Sequence, residues 1–300
     1  MVRSLPLLAA CFLLGILARR WWRFPASTPQ VLNKVILYIA LPAVVVKALH
    51  TLAFPPGLAL AASMMWLVFG GSYALFMAFQ RRLRRPSAAA LVLTTGLANT
   101  AFLGIPMIEG LLGTAAVGPA VVVDQLGSFL VLSTVGLWVA LRASTGSIAP
   151  WTLLKRVLFF PSFLALGFAL LTRSVAFPPG LTMVLARLGD MLTPLALIAV
   201  GFQLELGDFR GRVRALAAGL GYRLVLAPLM VLGVFTLLGG RGMLREIVVL
   251  QAGMAPMITG GILAADHDLD PPLAALVVGV GIPLSFLSIP LWFALLQALH

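Results

Sequence analysis

Apolar residues run along this chain in long blocks separated by short clusters of Pro, Gly, Arg and Asp. A helix that crosses a bilayer needs about 20 mostly apolar residues. Ten blocks meet that need, at about 4–22, 30–50, 57–80, 88–112, 117–142, 156–173, 182–204, 213–239, 244–265 and 271–297. Turn formers fill the joins: Pro25 and Pro29, Pro55-Pro56-Gly57, Pro86, Pro150, Pro178-Pro179-Gly180, Gly239-Gly240 and Pro271-Pro272. The pattern predicts an all-α membrane protein of ten transmembrane helices.

Two blocks are interrupted. Ala98-Asn99-Thr100-Ala101-Phe102-Leu103-Gly104-Ile105-Pro106 breaks segment four, and Gln251-Ala252-Gly253-Met254-Ala255-Pro256 breaks segment nine. A membrane helix is broken only where something else satisfies its freed backbone, and a matched pair of breaks points to a transporter binding site.

The halves resemble each other. Leu41-Pro42-Ala43-Val44-Val45-Val46 aligns with Thr193-Pro194-Leu195-Ala196-Leu197-Ile198, Pro106 with Pro256, and Gly136-Leu137-Trp138-Val139-Ala140-Leu141 with Pro290-Leu291-Trp292-Phe293-Ala294-Leu295. The offsets are nearly constant, and chance similarity among Leu/Ala/Val helices is the alternative. Five spans per half is an odd number, so the second half is expected to be inverted. The expected organisation is a first repeat at 1–142, a short cytoplasmic linker at 143–155 and a second repeat at 156–300.

Composition excludes a soluble fold: 61% of the 300 residues are hydrophobic, only 10% are charged, and mean hydropathy is +1.07. One cysteine, Cys11, rules out an internal disulfide. The net charge of +12 sits in short runs between apolar spans, which suits topology and anionic lipid rather than nucleic acid. Fourteen basic residues, including Arg19, Arg20, Arg23, Arg81, Arg82, Arg84 and Arg85, fall on one side of the predicted spans and five on the other. The richer side is expected to be cytoplasmic, with both termini outside the cytoplasm of a bacterial inner membrane. Residues 1–23 lack a small-residue cleavage pattern and end in Arg19-Arg20-Trp21-Trp22-Arg23, so a retained first helix is expected rather than a signal peptide.

Proline is comfortable at the first position of a helix. Pro106 and Pro256 are therefore expected to begin second half-helices whose N-terminal ends meet near the midplane. Each such end carries about half a positive charge and unpaired N–H groups, and two of them form an anion site without a fixed lysine or arginine. Simple proline kinks are the alternative. Asn99, Thr100, Gln251 and Thr259 lie close by in sequence, with Gly104 inside the first break. An amide donates to a carboxylate and accepts from a hydroxyl; helix–helix bonding is the other reading. Asp124 and Gln125 lie inside segment five, and Glu109 follows Pro106 by about one turn. Intramembrane acids line cavities or relay protons, so Asp124 and Glu109 are candidate coupling residues, against a structural bond for Asp124 and an interfacial place for Glu109.

Other features read as bland. Lys47 and His50 are expected to snorkel to the outer surface, and Arg223 to the cytoplasmic face. Asp266-His267-Asp268-Leu269-Asp270 reads as a loop in which Asp270 caps segment ten and Pro271 takes its first position, rather than a metal site. Asp190 precedes the bend at Pro194 or faces the substrate path.

Asn33-Lys34-Val35 followed by Leu41-Pro42, the 98–106 stretch, Thr193-Pro194-Leu195-Ala196-Leu197-Ile198-Ala199-Val200-Gly201 and Ala255-Pro256 resemble the auxin efflux carrier family, bacterial branch, over essentially the whole chain. Asn99-Thr100-x-Phe102-Leu103-Gly104-x-Pro106 is the most specific motif. The resemblance implies a ten-helix inverted-repeat fold like that of bile acid:sodium symporters, with crossed broken helices four and nine. It implies a scaffold of spans one, two, six and seven and elevator movement of spans three to five and eight to ten. It implies small organic anions such as auxin, malate or malonate as cargo. Substrate roles transfer to Asn99, Pro106 and Pro256, with Gln251 and Gln125 as neighbours. Two departures stand out: the long hydrophilic loop of plant members is nearly absent, and Val249 and Gln251 stand where some relatives place an asparagine.

The expected function is secondary transport of a small carboxylate with proton coupling, and a sodium-coupled symporter is the alternative. No cofactor is expected. The expected partners are the carboxylate, membrane lipids, H+ or Na+, and a second copy of the chain. A membrane-embedded enzyme would need paired aspartate motifs, a His-rich metal set or a Ser/His dyad, and the chain has three histidines. A receptor or channel is the remaining rival. A phosphate-binding Gly-Lys-Ser/Thr loop is absent from the sequence, which excludes a nucleotide-driven pump.

Overall fold

In the computed structural model, residues 5–22, 24–52, 54–80, 83–144, 155, 158–204, 209 and 211–299 are described. Every regular element among them is helical, and one isolated antiparallel bridge, Ala98 with Pro256, is the exception. The helices are α1 (Leu5–Arg20), α2 (Thr28–Val35), α3 (Leu41–His50), α4 (Leu58–Ala78), α5 (Arg85–Thr95), α6 (Ile105–Leu112), α7 (Val117–Val122) and α8 (Leu137–Ala143). They continue with α9 (Pro161–Leu171), α10 (Pro179–Asp190), α11 (Leu192–Phe202), α12 (Val213–Gly221), α13 (Ala227–Leu237), α14 (Gly242–Ala252), α15 (Ile258–Asp266) and α16 (Pro271–Ala298). Wide π turns at Ile36–Ala40, Thr100–Gly104, Val123–Phe129, Leu132–Gly136 and Tyr222–Leu226 join or extend several of them.

Among the described residues, six continuous helical stretches are long and apolar enough to cross a membrane: Thr28–His50, Leu58–Ala78, Thr114–Ala143, Pro179–Phe202, Val213–Leu237 and Pro271–Ala298. Thr100–Leu112 and Pro161–Leu171 are shorter apolar helices. The chain is therefore an all-helical membrane protein. Prolines open α5, α9, α10 and α16 within their first two positions, where no backbone donor is needed. Asp270 caps α16: its Oδ1 accepts from the Leu273 amide at 3.4 Å, while its Oδ2 accepts from Ser87 Oγ at 2.6 Å. Arg212 Nε lies 3.5 Å from the same carboxylate.

Two compact units divide the chain. The first comprises Met1–Pro55, Ala101–Val121 and Lys155–Leu204. Its centre is the pairing of α1 with α11, which is backbone against backbone. A Cβ on Gly15 would strike the carbonyl of Ile198, and one on Gly201 would strike the carbonyl of Phe12. Small residues permit that approach, which maximises dispersion contact where lipid offers no hydrophobic drive. Arg19 finishes the joint by donating to the carbonyls of Phe202 at 3.3 Å and Leu204 at 3.1 Å. A cation at the C-terminus of α11 also suits its dipole.

The second unit comprises Pro56–Thr100, Val122–Leu154 and Glu205–His300. Segments four and five are each shared between the units. Within this second unit α15 lies so close to α5 that a Cβ on Gly260 would collide with the carbonyl of Leu93. The linker expected at 143–155 falls almost wholly outside the described residues.

Candidate functional site

The breaks are real, and they are joined to each other. In segment four α5 stops at Thr95, residues 96–99 are not helical, and helix resumes at Thr100. In segment nine α14 stops at Ala252 and α15 begins at Ile258. The freed groups between them pair across the chain: the Asn99 amide donates to Ala255 at 2.9 Å, and the Met257 amide donates to Leu97 at 3.0 Å. Ala98 faces Pro256 between those two bonds, so the missing proline N–H costs nothing. This is how buried non-helical backbone is satisfied in a chain of this kind.

The two prolines play different parts. Pro256 sits inside its break, two residues before α15. Pro106 does not start the second half of segment four, contrary to the expectation above. Helix resumes six residues earlier in the π turn Thr100–Gly104, which runs directly into α6. Cross-chain pairing of residues 97–99 sets where the helix breaks. The proline is absorbed downstream by a wide turn, whose i→i+5 spacing relaxes the need for its missing donor.

A buried polar cluster adjoins the break. Thr100, the first residue of the resumed helix, donates from Oγ1 to Asp124 Oδ1 at 2.5 Å. Gln125 Nε2 donates to Asp124 Oδ2 at 2.7 Å. Thr100, Asp124 and Gln125 are all buried, and Asn99 and Gln251 are buried in the same unit. Asp124 and Gln125 stand on the π turn Val123–Phe129. Such turns disturb the regular backbone ladder and recur at functional sites. Trp66 serves one of its carbonyls, Nε1 donating to Leu126 at 3.0 Å. Both oxygens of Asp124 act as acceptors. Gln125 Oε1 and Ser128 Oγ are buried with no hydrogen-bond partner among the described residues. Ser128 was not among the candidate residues; its one-turn spacing from Asp124 was the available signal.

Other predicted residues lie apart. Thr259 is on α15 and exposed. Gly104, Pro106 and Glu109 belong to the first unit, where Glu109 is exposed and in electrostatic reach of Lys47 and Asp190. Lys47 is exposed, and His50 stacks on Phe177 with ring centroids 3.7 Å apart.

Arg223 overturns its expected place. It does not snorkel: it is 0% exposed, the bulkiest of the fully buried side chains. Nη1 donates to the carbonyl of Thr95 at 2.9 Å, and Nη2 donates to the carbonyl of Ala252. These are the last residues of α5 and α14. The physical reason was legible: Arg223 lies ten residues into its helical stretch, roughly 15 Å at 1.5 Å per residue, too deep for its head to reach water.

A family profile described as Membrane transport protein matches residues 1–293. A protein of Methanothermobacter thermautotrophicus described as an uncharacterized transporter is 28% identical over 271 residues, covering 88% of each chain. A second uncharacterized transporter, from Methanocaldococcus jannaschii, is 22% identical over 284 residues, again 88% of each chain.

Proposed function

We propose, on the premise that this chain belongs to the membrane transport protein family, that it is a secondary transporter of a small organic acid anion. That it is a transporter and not an enzyme follows from the family and from the transporters it resembles. The cargo, the coupling and the movement are the proposal.

One observation supports the reading most: two broken helices bonded to each other through their breaks, with buried amides and hydroxyls at the junction and an apolar unit around them. Asn99, Thr100, Gln125, Gln251 and Pro256 would hold the carboxylate, with the free N–H groups at the start of α15 supplying positive potential. Thr259 would extend the site along α15, and Gly104 and Pro106 are candidates by the motif they share with Asn99. Asp124 would couple transport to protons as a buried carboxyl whose bonding to Thr100 and Gln125 would change when it gains a proton; Glu109 is the second candidate carboxyl. Spans three to five and eight to ten would be the moving part, and spans one, two, six and seven the scaffold. Ten spans in two inverted repeats, with both termini outside the cytoplasm, complete the proposed topology, and the auxin efflux carrier family supplies the analogy.

The test is uptake into proteoliposomes of a panel of labelled mono- and dicarboxylates, amines and sugars, with and without a pH gradient. Saturable uptake of at least one, stimulated by the gradient, is expected. A panel in which amines or sugars are carried and every carboxylate is refused overturns the anion assignment.

A further inference from the structure

We propose that the guanidinium of Arg223 is a resident cation at the helix junction, filling by covalent attachment the position a coupling metal cation would take, so that this carrier works without sodium. The inference deepens the transporter reading and rests on it, but not on the identity of the cargo or on the role of Asp124.

The argument begins with charge. The end of a helix C-terminus carries about half a negative charge. Two such ends converge on Arg223, through the terminal carbonyls of α5 and α14. Together they amount to about one negative charge, matched by one guanidinium. Among the described residues no carboxylate makes an ion pair with Arg223, so the two helix ends are its counter-charge.

Chemistry points to what the position would otherwise hold. In transporters with interrupted helices, half-helix C-terminal ends and unwound carbonyls are the ligands that coordinate Na+. The two carbonyls here are of that kind. A planar fork is well shaped to span two separate oxygens, which a lysine ammonium is not. The fork is also held from both sides. Trp292 Nε1 donates to the carbonyl of Leu224 at 2.8 Å, and the Tyr222 hydroxyl donates to the carbonyl of Val68. Those bonds fix the π turn Tyr222–Leu226 immediately before and after Arg223.

The experiment is thermal unfolding of the purified full chain in detergent, in sodium chloride against choline chloride at equal ionic strength. The wild type is expected to unfold at the same temperature in both salts. Arg223→Ala, or Arg223→Gln if the alanine variant does not fold, is expected to unfold at a lower temperature and to recover saturably with sodium, by about 2–4 °C or more. Arg223→Lys is expected to show no sodium dependence. A merely structural arginine would lower the midpoint without creating that cation-specific recovery. Saturable sodium stabilisation of the wild type overturns the proposal, as does a folded charge-free variant with identical midpoints in the two salts. No transported solute enters the assay, so failure of the carboxylate reading leaves its outcome unchanged.

Discussion

The hydroxyl of Thr100 and the carboxylate of Asp124 meet at 2.5 Å, tying the first residue after the break in segment four to the π turn of segment five. The bond places the acid where the helix N-terminus favours negative charge. Gln125 closes the other oxygen at 2.7 Å.

Asp124→Asn keeps the shape of this side chain and removes the titrating group. Accumulation of the carboxylate driven by a pH gradient should disappear, while exchange of labelled for unlabelled carboxylate persists. Proteoliposomes loaded at two pH values measure both. Retained gradient-driven accumulation assigns the coupling elsewhere, with Glu109→Gln as the next variant.

Asn99→Ala removes the amide at the junction. A hydrogen bond to a charged group is worth about 1.5–3 kcal/mol, so apparent affinity for the carboxylate should fall about 10–100-fold. The Asn99 backbone bond to Ala255 is untouched by the substitution, so the variant should still fold. Unaltered transport would remove Asn99 from the site.

Trp292→Phe keeps the ring and deletes the donor to Leu224. Buried interhelical bonds in membranes contribute about 0.6 kcal/mol and reach about 1.7, so a modest fall in unfolding temperature is expected. Sodium should not restore it, because the guanidinium remains. Sodium-specific recovery in this variant would mean that the cation effect is not particular to Arg223.

Gly201→Val tests the joint between α1 and α11. The added atoms have nowhere to go but into the carbonyl of Phe12. Overpacking of this kind costs about 1–3 kcal/mol, and here the obstacle is backbone. Thermal unfolding should show a clear loss of stability, larger than for Gly167→Val, a helical position with open space around it.

The apolar blocks and the two interruptions were legible in sequence because lipid imposes a simple rule on length and composition. The exact place of the break in segment four was not. It depends on which amides find carbonyls in a segment about 150 residues away, and Pro106 misled because proline marks where a helix is disturbed, not where its partner lies. The π turns were equally hidden, since Val123–Phe129 contains no residue that demands an i→i+5 spacing. Arg223 was readable and misread: one charge ten residues deep in an apolar stretch already pointed to an internal partner. Asp124 was expected to line a cavity or make a structural bond, and its bonds to Thr100 and Gln125 supply the second. That two carbonyl ends would answer Arg223 could not be read, because backbone acceptors leave no trace in composition.

The reciprocal pairing of Asn99 with Ala255 and of Met257 with Leu97 carries a further consequence. Inserting or deleting one residue within 97–99 or 255–257 would shift this pairing out of register and leave a buried amide and carbonyl without partners. The two stretches are therefore locked in length as well as in register, and neither tolerates a change in chain length that the other does not match.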